Sequence, residues 1–125
     1  MGIFDFFKRG SNDNQDNITK TYHENGKLKS EGNMKDSKHE GLWKSYHENG
    51  LLSGEVNFKD GILEGLSKTY HENGQLKQEV NYKDNKQEGF GKSYYENGKL
   101  ETEVNFKDGI LEGFFIFYND ETGKL

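Results

Sequence analysis

Cysteine and proline are both absent from this 125-residue chain, and tryptophan occurs once. Without cysteine there is no disulfide and no thiolate metal site, and the redox compartment is unconstrained. No apolar run is long enough to span a bilayer. The opening residues Met1 to Arg9 are apolar only briefly and lack a basic leading region, so they read as no secretory signal. Phe6 occupies the place where myristoylation requires Ser or Thr, which excludes that anchor and leaves the cytoplasm as the expected location. Hydrophobic residues make up only 30%, too few to supply one thick core. A net charge of −5, with lysines interleaved among glutamates, provides no basic stripe for nucleic acid.

What the chain does have is aromatics, 14% of it, and they recur on a strict period. Tyr22, Tyr46, Tyr70, Tyr94 and Tyr118 stand 24 residues apart, the mark of a tandem array. The repeats are 22–45, 46–69, 70–93 and 94–117, with a partial unit at 118–125. Residues 1–17 form an apolar segment and polar linker ahead of the repeat domain 18–125. Repeats one and three are most alike, as are two and four, so residues 22–69 and 70–117 read as two copies of a 48-residue unit.

Each unit holds two turn signals. One is Glu-Asn-Gly at 24–26, 48–50, 72–74 and 96–98; the other is Lys-Asp-Gly at 59–61 and 107–109, weaker at 35–37 and 83–85. Asn-Gly and Asp-Gly between short alternating segments are strong hairpin cues. The expected fold is therefore all-β: a single-layer antiparallel meander of tandem β-hairpins, about nine strands. A three-residue loop with glycine at a bulge is expected at both turns. It would pair Phe58 with Ile62 and gather Leu52, Val56, Phe58, Ile62, Leu66 and Tyr70 on one apolar face. Glu40, Glu64, Glu88 and Glu112 would alternate in that face with Lys44, Lys68 and Lys92.

His23, His47 and His71 occupy equivalent positions beside glutamates. Equivalent positions lie two strands apart, roughly 9–10 Å, too far to share one ion. They read as solvated turn histidines, and Tyr95 breaks the column. Glu55 and its equivalents read as a solvated face. Nothing supplies a nucleophile, base and oxyanion set, so no catalytic, cofactor or metal residue is expected and the chain reads as no enzyme.

Two regions depart from the period. Phe114 to Tyr118 is apolar on both faces, as either a capping strand covered by the C-terminal tail or a patch for a partner or twin subunit. Ile3, Phe4, Phe6 and Phe7, with Lys8 and Arg9, leave three readings open: a short helix packed near Trp43, a weak membrane-surface anchor, or a partner peptide. Trp43, Phe115, Phe117, Phe4 and Phe7 are the candidates for partner contact.

The units resemble the bacterial variant of MORN repeats. The resemblance is carried by Tyr46-His-Glu-Asn-Gly50, Leu52, Glu55-Val-Asn-Phe58, Lys59-Asp-Gly61, Glu64-Gly65 and Glu40-Gly-Leu-Trp-Lys-Ser-Tyr46, with their counterparts elsewhere. It implies a hairpin array used for scaffolding, partner binding or membrane association. Arrays of this sort are grouped as YwqK-type antitoxins, which implies an inhibitory module with a protein, a toxin, as partner. Trp43 is replaced by Ser67, Gly91 and Phe115 in the other units, so the repeats do not all present the same surface. The sequence leaves homo-oligomers open, since sheet edges can pair.

Overall fold

The computed structural model describes residues 18–112 and 116–118, and everything in them that is regular is strand. The long strands are β1 (Ile18–Tyr22), β2 (Leu28–Lys35), β3 (Lys38–Tyr46), β4 (Leu52–Lys59), β6 (Gly65–Tyr70), β7 (Leu76–Lys83), β8 (Lys86–Tyr94) and β9 (Leu100–Lys107). The two-residue segments β5 (Ile62–Leu63), β10 (Ile110–Leu111) and β11 (Ile116–Phe117) complete the set. All pairings are antiparallel, in the order β1-β2-β3-β4-β6-β7-β8-β9, with β5 on β4 and both β10 and β11 on β9. The meander of tandem hairpins is the one the 24-residue period predicts. The proposed N-terminal helix lies outside the described residues.

The Glu-Asn-Gly loops have the expected form. His47 N–H donates to Leu51 O at 2.8 Å and Gly50 N–H to His47 O at 2.9 Å, with Gly50 at φ 93° and Tyr46 opposite Leu52. Glycine takes that left-handed position without a Cβ penalty. The same geometry recurs at Gly26, Gly74 and Gly98.

The Lys-Asp turns differ from expectation. Lys59 pairs with Ile62 and Phe58 with Leu63, so the loop is only Asp60-Gly61, with both residues at positive φ, 52° and 82°. Asp36-Ser37, Asp84-Asn85 and Asp108-Gly109 repeat the pattern. Two left-handed residues make the turn whose twist matches the flanking strands, and Asp and Asn tolerate that region better than most residues. The surplus chain length is absorbed further on: Gly41, Gly65 and Gly89 lie at φ 75°, 93° and 81° where the registers slip. Glycine at such a slip is a bulge position.

The single apolar face is overturned by this register, because a one-residue change of pairing reverses every side chain beyond it. Val56 opposes Trp43 and Phe58 opposes Gly41, whereas Leu42 opposes Asn57 and Leu66 opposes Asn81. Val56 and Phe58 thus lie on one face, with Leu42, Leu66 and Tyr70 on the other. Glu40, Glu64 and Glu88 are not interspersed in an apolar face. Each accepts through Oε1 the backbone N–H of an Asp in the next turn, Asp60, Asp84 and Asp108, at 2.9–3.0 Å.

A sheet with two solvated faces has little interior. Val80, 6% exposed, is the one buried hydrophobic residue among those described. Stability must come from cross-strand pairs and from bonds between neighbouring repeats.

Candidate functional site

The loop edge shows how each repeat holds the next. His23, His47 and His71 place Nε2 2.8–2.9 Å from the backbone oxygens of Tyr46, Tyr70 and Tyr94. A carbonyl only accepts, so Nε2 carries a proton in each ring. Tyr95, the fourth member, reaches Tyr118 O with its hydroxyl at 2.9 Å. The three histidines are half-buried clamps, not solvated ornaments. Asn25, Asn49 and Asn73 act beside them. Each donates Nδ2 to the following loop's Glu carbonyl at 2.8–3.0 Å and accepts its own loop's N–H through Oδ1 at 2.9 Å. Sequence reasoning missed this role; the signal was that His and Tyr share only a ring-borne hydrogen donor of similar reach.

The first face, the Trp face, is the less regular one. Trp43 is half-buried, donates Nε1 to Asn33 O at 2.8 Å and packs its ring 4.3 Å from that of His39. A Cβ at position 32 would collide with the indole of Trp43. Gly32 stands where the later repeats have Val56, Val80 and Val104, so glycine here makes room for the only tryptophan. Beside it Gly54 leaves a hollow lined by Trp43, Val56, Phe58 and the hydroxyl side chains Ser45, Ser53 and Thr69. Thr69 Oγ1 is buried there without a hydrogen-bond partner among the described residues. Phe117, 61% exposed, opposes Thr102 at the far end of this face. Trp43 and Phe117 thus share a face but lie at opposite ends of the array; Phe115, Phe4 and Phe7 lie outside the described residues.

The second face, the Tyr face, is built of three rows running across the strands. Its middle row is Lys20, Glu31, Lys44, Glu55, Lys68, Glu79, Lys92 and Glu103, each directly opposite the next. Ile116 ends that row opposite Glu103, where the period would place a lysine. In a second row Ile18, Leu42, Leu66 and Phe90 oppose Asn33, Asn57, Asn81 and Asn105. All four apolar members are exposed, Phe90 by 70%. In a third row Tyr22, Tyr46, Tyr70 and Tyr94 oppose Leu28, Leu52, Leu76 and Leu100.

The last four tyrosines of the period lean back onto the charged row. Tyr46, Tyr70, Tyr94 and Tyr118 donate their hydroxyls to Glu31, Glu55, Glu79 and Glu103 at 2.8–3.2 Å. All four phenols are raised above the ordinary 10.0. The hydrogen bond to the carboxylate is the main cause for Tyr46 and Tyr118, and loss of water for Tyr70 and Tyr94.

Among the described residues neither face brings together an acid, a base and a nucleophile. Among the described residues no group of three or more His, Asp or Glu is placed to hold a metal ion, and no helix is long and apolar enough to cross a membrane. What the geometry offers is area: two broad surfaces, one periodic and one not, with exposed apolar and aromatic groups.

No curated protein gives a match to the chain. A family model described as MORN repeat variant matches it four times in tandem, at residues 15–36, 40–60, 63–84 and 87–108. These matches cover more than half of the sequence and follow the hairpin repeat of the sheet, and the chain therefore belongs to the MORN repeat variant family.

Proposed function

We propose that the chain is a protein-binding module whose Trp face receives a second, different protein. A repeat module with a binding or scaffolding role is what the family itself suggests, and the family is generally non-enzymatic. One observation supports the finer reading: the hollow beside Trp43 is not periodic. It exists because Gly54 and the sole tryptophan coincide in one place, whereas a purely structural repeat has no need of such a departure. An aromatic wall with a few convergent hydroxyls suits a protruding side chain of a partner, apolar in body and polar at its tip.

The resemblance to YwqK-type antitoxins makes that partner a toxin in this reading, with the chain as its inhibitor. The test is a pulldown from the native source with the wild type and with Ser53→Arg, which fills the hollow, and Phe117→Asp. A partner held by the wild type, released by Ser53→Arg, and inhibited by a stoichiometric amount of the chain is the expected result. Equal capture by all three chains would refute the Trp face as the binding surface. A captured partner with no activity to inhibit would remove the antitoxin role alone.

A second reading has the first nine residues tether the scaffold to a membrane surface, on the strength of Ile3, Phe4, Phe6 and Phe7 beside Lys8 and Arg9. One short apolar segment binds lipid weakly and needs a second signal. Flotation with anionic vesicles, with and without residues 1–9, decides it; equal flotation excludes the tether.

A further inference from the structure

The charged row of the Tyr face contains four lysines and four glutamates in strict alternation. It is neutral, although the chain as a whole carries −5. Such a row offers nothing to a uniformly anionic or cationic surface. Its complement is another alternating row, and the one at hand is its own. The row begins with Lys20 and ends with Glu103, an even number of members, so a reversed copy laid over it sets unlike charges together at every place. A ninth member would spoil this, because a row that begins and ends with lysine meets itself like on like. The ninth place is the one where Ile116 replaces the periodic lysine.

We propose that the Tyr face is a homodimer interface, formed by two copies related by a two-fold axis lying between the sheets and parallel to the strands. That axis sets Lys20 over Glu103 of the second copy, Lys44 over Glu79, Lys68 over Glu55 and Lys92 over Glu31. The other two rows obey the same operation. Leu66 and Phe90 meet Asn57 and Asn33 of the second copy, so large apolar groups drop between those of the other sheet instead of colliding. In the third row Tyr46 and Tyr70 meet Leu76 and Leu52. Sliding one copy by a single strand would stack apolar on apolar but would bring lysine onto lysine throughout, so charge fixes the register. Twisted sheets of the same hand pack face to face in this aligned way. Eight strands at about 4.8 Å spacing and roughly five residues at about 3.3 Å give about 600 Å² per copy. The total, about 1,200 Å², reaches the lower bound of stable, specific interfaces.

The experiment is sedimentation of the full chain with three charge variants: Lys44→Glu, Glu79→Lys, and both together. Lys44 faces Glu79 of the second copy, so each single change puts like charges across the interface and should weaken the dimer at least tenfold. The double variant restores unlike pairs between copies. Within each sheet it leaves an acid at position 44 between Glu31 and Glu55, and a base at position 79 between Lys68 and Lys92. A charge row that serves only the monomer therefore predicts the double variant to be the worst; the two-fold predicts that it dimerises again. Leu66→Asn with Phe90→Asn, which leaves every charge in place, should also weaken the dimer at least tenfold, and circular dichroism checks that each chain keeps its strands. A wild type that stays monomeric at high micromolar concentration overturns the interface, as does a double variant no better than the singles. Since this face is opposite the Trp face, loss of dimerisation leaves capture of a different protein untouched, and each proposal fails separately.

Discussion

The two edges of the sheet solve the same problem with different chemistry. At the Glu-Asn-Gly edge, a ring donor and an asparagine amide reach forward to the next loop's carbonyls. At the Lys-Asp edge, a glutamate carboxylate reaches forward to the next turn's N–H. One edge offers donors to acceptors of the following repeat, the other an acceptor to a donor. Together they satisfy backbone groups that a sheet of tight turns would otherwise leave to water. The first edge makes two side-chain bonds per loop, by the ring and the amide; the second makes one charge-assisted side-chain bond and one backbone bond per turn, Gly61 N–H to His39 O, Asn85 N–H to Leu63 O and Gly109 N–H to Gln87 O. The difference teaches that side chains should carry more of the coupling at the loop edge, whereas the turn edge shares it with the backbone.

The largest effect should follow from Asn73→Ala, in the middle of the array. It removes the bond to Glu96 O and the bond from Gln75 N–H. At about 1 kcal/mol for each net bond, stability should fall by about 2 kcal/mol in denaturant unfolding. Glu64→Ala removes one exposed bond to Asp84 N–H and should cost about 1 kcal/mol or less. If Glu64→Ala proves the more damaging, the ranking of the two edges' side-chain bonds is reversed.

A change at the Lys-Asp edge should even stabilise. Ser37 sits at φ 66°, where a Cβ is unfavourable, while its equivalents Gly61 and Gly109 do not carry that strain. Ser37→Gly should raise stability by about 0.5 kcal/mol, the relief of the left-handed strain less the added freedom of the unfolded chain. A lower thermal midpoint would show that the serine is held there by something beyond its backbone angle.

The smallest effect separates the edges from the face between them. The four raised tyrosines lose their protons more readily in the unfolded chain than in the sheet. The stability they contribute is therefore complete below pH 10.0 and declines as pH rises through their higher folded values. Tyr46→Phe should flatten part of that alkaline decline, read from unfolding midpoints between about pH 8 and about pH 11, on either side of the ordinary phenol value. A decline unchanged in Tyr46→Phe would place its origin elsewhere.

How much of this was legible beforehand depended on which physical rule was local. The period, the strand spacing and the Glu-Asn-Gly loops follow from residues adjacent in sequence, and they could be read. The pairing at Asp60-Gly61 could not be decided by grouping apolar residues, because the sheet does not need one dry face. Turn twist determined it, and the displaced length went into Gly41, Gly65 and Gly89. The clamps of His23, His47 and His71 were hidden for another reason. Their acceptors lie 23 residues on, in backbone atoms, which a side-chain pattern does not display. Of the residues singled out for partner contact, Trp43 and Phe117 fall on one face. That sharing was not visible until the register was known.

The forward reach of the histidine clamps also bears on how the chain comes to be folded. His23 cannot complete its bond until Tyr46 exists, nor His47 until Tyr70. Each contact is closed over a short and constant sequence distance, which keeps contact order low and the entropy lost in loop closure small. On a ribosome the sheet can therefore be added one hairpin at a time, always lagging the growing end by about one repeat. Each finished repeat can then serve as the template against which its successor docks as the chain is made.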